Sequence, residues 1–430
     1  MPSSAPTPNL PLALTLAFAA ALAAGLLVRL WLASRQIRHV AQHADRVPAP
    51  FAVRVTPEAH RKAAAYTIAK SRFGIAETAL AAAVLLDWTL LGGLDALNRA
   101  LLAALGPGMA QQLALLAAFA LIGGLIDLPA SLWRTFVIEQ RFGFNRTTVR
   151  LWFGDLLKST LLGAAIGLPI AALILWLMAA AGSWWWLWAW AVWTGFNLLL
   201  MVVYPAFIAP LFNTFKPLDD AVLNERVTAL MQRCGFAAKG LFVMDGSRRS
   251  AHGNAYFTGL GAAKRVVFFD TLLARLSPPE VDAVLAHELG HFKHRHITKR
   301  MVGLFAASLA GFALLGWLST QGWFYLGLGV RPSLDGGAPN DALALLLFLL
   351  AAPVFLFFVA PVFAQLSRRD EFEADAYAVA QTSGADLSTA LLKLYEDNAS
   401  TLTPDPLFAR FYYSHPPASE RLARLGATPS

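Results

Sequence analysis

Leu177-Met178-Ala179-Ala180-Ala181-Gly182-Ser183-Trp184-Trp185-Trp186-Leu187-Trp188 joins two long apolar runs, 161–181 and 184–209, neither of which holds an Asp, Glu, Lys or Arg. About 20 mostly apolar residues are enough to carry a helix across the hydrocarbon core of a bilayer. Gly182 and Ser183 leave room only for a tight turn, so the stretch predicts two membrane-spanning helices folded into a hairpin. The same test applied outward finds five more spans, at 10–33, 74–94, 112–133, 301–318 and 342–366. Composition agrees: 57% of the 430 residues are hydrophobic and only 14% charged. An average soluble domain carries roughly 25% charge, so a plain soluble enzyme is excluded. A disordered chain needs the opposite bias and is excluded too. Residues 1–9 hold no Lys or Arg and the run that follows is long. This favours a retained anchor over a cleaved signal peptide.

The formal charge of +8 could point to nucleic acid or to the cytoplasmic loops of a membrane protein. The distribution decides. Arg35, Arg38, Arg46, Arg54, Arg61, Lys62, Lys70 and Arg72 follow the first span, and Arg134, Arg141, Arg146 and Arg150 follow the third, while the alternate loops are poor in both residue types. No basic helix or stacking-aromatic cluster of the nucleic-acid kind is present, so no nucleic-acid partner is expected. The positive-inside rule then places the N-terminus outside and the C-terminus in the cytoplasm. The chain divides into a membrane region at 1–210, a polar segment at 211–300, two further spans within 301–366, and a second polar segment at 367–430. Both polar segments fall on the cytoplasmic side. Glu77, Asp87 and Asp127 lie within spans. They make either interhelical polar contacts or the wall of a wet chamber. The lone Cys234 excludes an intrachain disulfide and reads as a small buried hydrophobe.

The chemistry sits in the polar segments. Ser277-Pro278-Pro279-Glu280 opens a helix with a capping box and a proline at its first position. That helix runs into His287-Glu288-Leu289-Gly290-His291, an H-E-x-x-H pattern. Spacing i, i+4 stacks the two imidazoles on one face, where they can share a zinc ion. Glu288 projects beside them and can take a proton from the attacking water and return it to the leaving amine. His294 and His296 do not repeat the face and read as surface or interfacial residues. Two histidines leave zinc short of a third protein ligand. The segment Ser367-Arg368-Arg369-Asp370-Glu371-Phe372-Glu373-Ala374-Asp375 offers candidates. Glu371 and Asp375 share a helix face, whereas Glu373 points about 200° away from Glu371. One of the two can ligate zinc while the other orients a ligand histidine. The competing reading is a charged juxtamembrane helix that binds lipid headgroups. Short strands are predicted at Leu241–Met244, Ala255–Thr258 and Arg265–Phe269 from their β-branched and aromatic content.

Taken together, the chain resembles the type I CAAX prenyl endopeptidases, integral-membrane zinc metalloproteases of the gluzincin kind. The resemblance covers nearly the whole chain. It rests on Val137-Ile138-Glu139-Gln140-Arg141-Phe142-Gly143-Phe144-Asn145 with Asp155 and Lys158, and on Ser250-Ala251-His252-Gly253-Asn254-Ala255-Tyr256-Phe257. It rests also on the H-E-x-x-H, on the Ser367–Asp375 block, and on Tyr413-Ser414-His415-Pro416-Pro417. The resemblance implies Glu371 as third ligand to one zinc per chain and Asp375 as the partner that orients a histidine. It also implies His415 as oxyanion donor and the edge Asn254-Ala255-Tyr256 as the strand that holds the peptide, against the plainer reading of Asn254 as a turn residue. Arg421 is a candidate for electrostatic support of the site. The implied fold is a mainly α membrane protein, with seven transmembrane helices around a chamber and a small α+β gluzincin-type zinc protease domain. The implied partners are a peptide or protein C-terminus, prenylated or not, and the lipid bilayer. An alanine- and arginine-rich chain suits a bacterial inner membrane, or the endoplasmic reticulum membrane in a eukaryote. Two other readings stay open: a protease that clips damaged membrane proteins, and a transporter or channel without proteolysis.

Overall fold

The structure, a computed structural model, describes residues 9–236, 240–258, 265–333 and 336–427. Its N-terminal part contains α1 (Leu10–Gln42), α2 (Pro57–Trp88), α3 (Gly93–Leu105), α4 (Met109–Trp133), α5 (Val149–Ala180) and α6 (Trp185–Val203). A mixed segment follows, with β1 (Phe215–Pro217), α7 (Ala221–Arg233), β2 (Leu241–Met244), β3 (Ala255–Thr258), β4 (Arg265–Phe269), α8 (Asp270–Leu273) and α9 (Pro278–Lys293). The chain then re-enters the apolar region through α10 (His296–Leu318), α11 (Gly322–Gly327) and α12 (Asp341–Leu356). It closes with α13 (Ala360–Gln381), α14 (Gly384–Asp397), α15 (Pro406–Tyr412) and α16 (Ala418–Ala427).

Among the described residues six helical stretches are long and apolar enough to span a membrane, or seven when α2 and α3 count as one span bent by 49°. The α5–α6 hairpin is present, and Gly182 makes its turn at φ +60, a conformation that costs glycine least. The predicted second span, 74–94, lies mostly inside the much longer α2. The break that ends it was not expected. It falls at Gly92, φ +84, and Gly329 passes so close that a side chain there would collide with the Thr89 carbonyl.

The spans do not fill their own interior. None of the most apolar window of the Gly182–Leu211 stretch is buried, and only 6–11% of the windows in α1, α4, α5 and α10. In a solid bundle each helix would bury a stripe. These helices are therefore staves around a hollow. One end is plugged by Phe18, Trp88, Leu115, Leu175, Leu315 and Leu347, contributed by six helices. Glu77 and Asp127 line a cavity of about 520 Å³ together with Arg29 and Arg134, and Arg134 donates to Glu77. Of the two readings left by the sequence, Glu77 shows both, an interhelical ion pair on a cavity wall, and Asp127 lines the same cavity. Asp87 does not. It lies at the α2–α3 break, where its carboxylate and carbonyl fill the space a side chain on Gly93 would need.

The sheet has strand order β1-β2-β4-β3, with β2 and β4 parallel and the outer pairs antiparallel. Three of its strands were legible in the sequence. β1 was not, because Phe215-Lys216-Pro217 is too short to alternate and ends in a strand-breaking proline. Val266 and Phe268 of β4 pack with Leu285 and Leu289 of α9, Ala378 of α13 and Leu391 of α14 in one core. Cys234 is half-buried at the end of α7 and packs against that core. α1 belongs to the same body: Arg35 pairs with Asp405 at 2.9 Å, and Gln36 accepts from the Asp405 N–H at 2.7 Å.

Candidate active site

α9 is started firmly. Glu280 accepts from the Ser277 N–H at 2.7 Å, completing the capping box, and Lys393 of α14 donates to the same oxygen at 2.7 Å. Val281, Leu285 and Leu289 bury the inner face of the helix. This turns His287 and His291 towards α13. Gly290 decides how near α13 comes. A Cβ built on Gly290 would lie 2.9 Å from the Ala374 Cα and 3.0 Å from its carbonyl oxygen. Only hydrogen at that position lets the two helices touch backbone to backbone.

That approach carries Glu371, 2% exposed, onto the histidines. His287 Nε2 and His291 Nε2 stand 3.3 Å apart, with Glu371 Oε2 3.3 Å from the first and Oε1 3.4 Å from the second. Donors about 2.0–2.1 Å from one tetrahedral ion stand about 3.3–3.4 Å from one another, which is the spacing found. Glu371 Oε2 is buried and has no hydrogen-bond partner. An unpaired buried carboxylate oxygen is costly, and a cation at the centre of this triangle would satisfy it. His287, His291 and Glu371 therefore fit a divalent metal, and they form such a cluster among the described residues.

Each histidine is held from behind. His287 Nδ1 donates to Asp375 Oδ1 at 2.9 Å, and Arg421, 5% exposed, grips Asp375 through Nε at 2.8 Å and through Nη2. Burial alone would push His287 down, but Asp375 and Glu371 more than reverse this and push it up to about 9. The site thus offers a strongly negative field to any positive charge placed in it. His291 Nδ1 lies 3.0 Å from His296 Nδ1, whose Nε2 is 3.2 Å from Glu373 Oε2. Arg300 and Asp370 continue this row, with Arg300 Nη2 donating to Asp370 at 2.7 Å. Of the expectation that His296 is a surface or interfacial residue and not a ligand, the surface half is corrected here: it lies outside the donor cluster, buried between α10 and α13. It is 1% exposed and fixes the ring of His291, and Glu373 points away from the donors in order to meet it. His294 is half-buried and stacks on His296 at 5.5 Å.

Glu288 adjoins the cluster. Burial pushes its carboxyl up, above the ordinary carboxylate range, although the two histidines oppose the shift. It makes no side-chain hydrogen bond among the described residues, so its oxygens are free to accept a proton. His415 reaches the cluster from the loop before α16, with Nε2 3.3 Å from Glu371 Oε1 and Nδ1 3.0 Å from Ser414 Oγ. Its side chain is 64% exposed and, with Arg421, lines a neighbouring cavity. Asn254, Ala255 and Tyr256 lie at the start of β3, the terminal strand of the sheet, so one row of main-chain groups is left unpaired. Of the three, only Ala255 packs against the core under α9, and its N–H donates to Asn254 Oδ1 at 2.8 Å. The structure thus brings together His287, His291, Glu371, Glu288, Asp375, Arg421 and His415, all singled out from the sequence. The sequence reading missed Gly290 and His296, whose roles depend on what α13 presents to α9.

Comparison with known proteins agrees with this geometry. The CAAX prenyl protease N-terminal family, five membrane helices, matches residues 36–214, and Peptidase family M48 matches residues 217–428. The CAAX prenyl protease 1 homolog of Arabidopsis thaliana is 36% identical over 384 residues, covering 86% of this chain and 88% of that one. CAAX prenyl protease 1 of Saccharomyces cerevisiae is 37% identical over 327 residues, covering 74% and 72%. The crystal structure of S. mikatae Ste24p superposes with a TM-score of 0.87 at 31% identity, over 96% of this chain and 98% of that one. The hollow array of spans, the H-E-x-x-H helix locked to α13, and these matches lead to one conclusion: this chain belongs to the CAAX prenyl protease 1 family and is an integral multi-pass membrane metalloprotease.

Proposed function

We propose that the protein is a zinc endopeptidase that removes the C-terminal tripeptide of prenylated CAAX proteins, cutting after the prenylated cysteine. The observation that carries the zinc reading is the triangle of His287, His291 and Glu371, with tetrahedral spacing and an orphaned buried oxygen. Zinc bound there supplies Lewis-acid chemistry at the scissile carbonyl and the attacking water. Glu288 takes the proton from that water and passes it to the leaving amine. His415 donates an N–H to the oxygen on which charge develops. The free edge at Asn254, Ala255 and Tyr256 pairs the substrate as an added strand. Asp375 with Arg421, and His296 with Glu373, hold the two imidazoles in one orientation.

The membrane region 1–210 and the spans within 301–366 serve as scaffold, while 211–300 and 367–430 supply the chemistry. We read the catalytic segments as cytoplasmic, on the grounds of the arginine-rich ends, and the host membrane as a bacterial inner membrane. The substrate class rests on the names of the relatives. The test compares three substrates for the purified holoenzyme: a farnesylated CAAX peptide, its unprenylated twin and an unfolded membrane protein. Preference for the first supports the proposal. Equal rates on all three turn the reading towards a protease that clips damaged membrane proteins. No cleavage of any of them, with metal bound, refutes both.

A further inference from the structure

His415 and Arg421 belong to the wall of a cavity of about 670 Å³, within the range of pockets that take small ligands. The same wall includes Tyr66 and Lys70 of α2 and Asn398 after α14. Its composition is one-sided. The lining has no aspartate and no glutamate, and many hydroxyls. Of its two permanent cations, Arg421 is tied to Asp375. Lys70 forms no ion pair among the described residues. Its Nζ rests 3.4 Å from the Tyr66 hydroxyl and 4.7 Å from the centre of that ring. Glu139 lies within electrostatic reach of Lys70 but makes no contact with it, because its oxygens meet other partners: Tyr66 donates to one at 2.6 Å and His252 Nε2 lies 3.6 Å from the other. The cavity therefore seeks an anion.

The sheet edge leads to it. β3 begins after His252, and His252 Nδ1 is 3.0 Å from Asn398 Oδ1, on the cavity wall. A peptide added antiparallel to β3 leaves its C-terminal end on this side. We propose that Lys70 binds the free α-carboxylate of the substrate. The proposal rests on the tripeptide-releasing reading above and deepens it.

The experiment uses the full-length holoenzyme and one CAAX peptide in two forms, with a free C-terminal carboxylate and with a C-terminal carboxamide. The wild type should favour the acid by about tenfold or more in kcat/KM, chiefly through KM, as expected for a charge-assisted contact. Lys70→Met should lose that factor on the acid and leave the amide unchanged, bringing the ratio near one, and Lys70→Arg should restore it. Unchanged amide cleavage also shows that the variant is folded. A wild-type ratio near one, or equal losses on both forms in Lys70→Met, overturns the proposal. Its failure is separable from that of the prenyl reading, because the acid-to-amide ratio can be read on any cleaved peptide, prenylated or not.

Discussion

Gly290→Ala is the sharpest probe of how the site is assembled. The new Cβ would sit 2.9 Å from the Ala374 Cα, 3.0 Å from its carbonyl oxygen and 3.2 Å from the Tyr377 Cβ. Carbon contacts are comfortable at about 3.5–4.0 Å, so α13 must retreat from α9 by about 0.5–1 Å. Overpacking of this kind costs about 1–3 kcal/mol. Alanine returns about 1 kcal/mol through helix propensity. The fold should therefore survive with a net loss of about 0–2 kcal/mol. The donors are less tolerant. Glu371 rides on α13 and the histidines on α9, with separations of 3.3–3.4 Å. Metal sites accept errors of about 0.2 Å in ligand distance. A shift several times larger should weaken metal binding at least about tenfold and lower peptide cleavage by about a hundredfold. The assay pairs metal content after dialysis against a chelator with thermal unfolding in detergent. Retention of both metal and activity in a folded Gly290→Ala protein would refute the argument that helix approach builds the site.

Further outcomes follow from the same geometry. Glu288→Gln should keep its metal and lose about 10²–10⁴ in kcat; appreciable turnover in single-turnover assays would remove Glu288 from the proton path. His415→Ala should lower kcat by about 10²–10³ with little change in KM, and a pure KM effect would argue for substrate contact instead. His296→Ala should weaken metal affinity about 10–100-fold, visible by competition with a chelator, although the residue touches no metal; unchanged affinity would make it mere packing. Glu280 is one contributor to acid stability. Burial pushes its carboxyl up, but Lys393 and the Ser277 N–H more than reverse this and hold it below the usual range. A lowered folded pKa gives stability that is present above about pH 4.5 and lost as pH falls through the folded value. Wild type should therefore lose an acid-sensitive part of its stability that Glu280→Gln lacks at every pH, amounting to about 1 kcal/mol. Parallel pH curves for the two proteins would count against the linkage.

Much of this molecule is written in local pattern. The spans follow from runs of apolar residues, and α9 from Ser277, Pro278 and Glu280, because those signals act over one or two turns. His287, Glu288 and His291 declare themselves by spacing alone. Glu371 and Asp375 are legible as one face of a helix, but the choice between them comes from the family resemblance, and α13 places Glu371 inward and Asp375 one turn behind. What stayed hidden depends on contacts between distant segments. Gly290 looks like any helix glycine until Ala374 is placed against it. His296 breaks the i+4 pattern of its own helix, so sequence assigns it outward; Glu373, 77 residues on, draws it in. The bend after α2 is set by Gly329, far along the chain, and β1 is too short to announce itself.

The donors of the metal cluster are not neighbours in time. His287 and His291 leave the ribosome about eighty residues before Glu371, with α10 and α12 between them. Until those helices are inserted, the chain has two imidazoles and no third donor, hence no firmly held ion. If these residues hold the metal, hydrolysis waits until α13 has been made and packed on α9. The ion then closes a loop that contains two spans and ties together parts threaded separately through the bilayer.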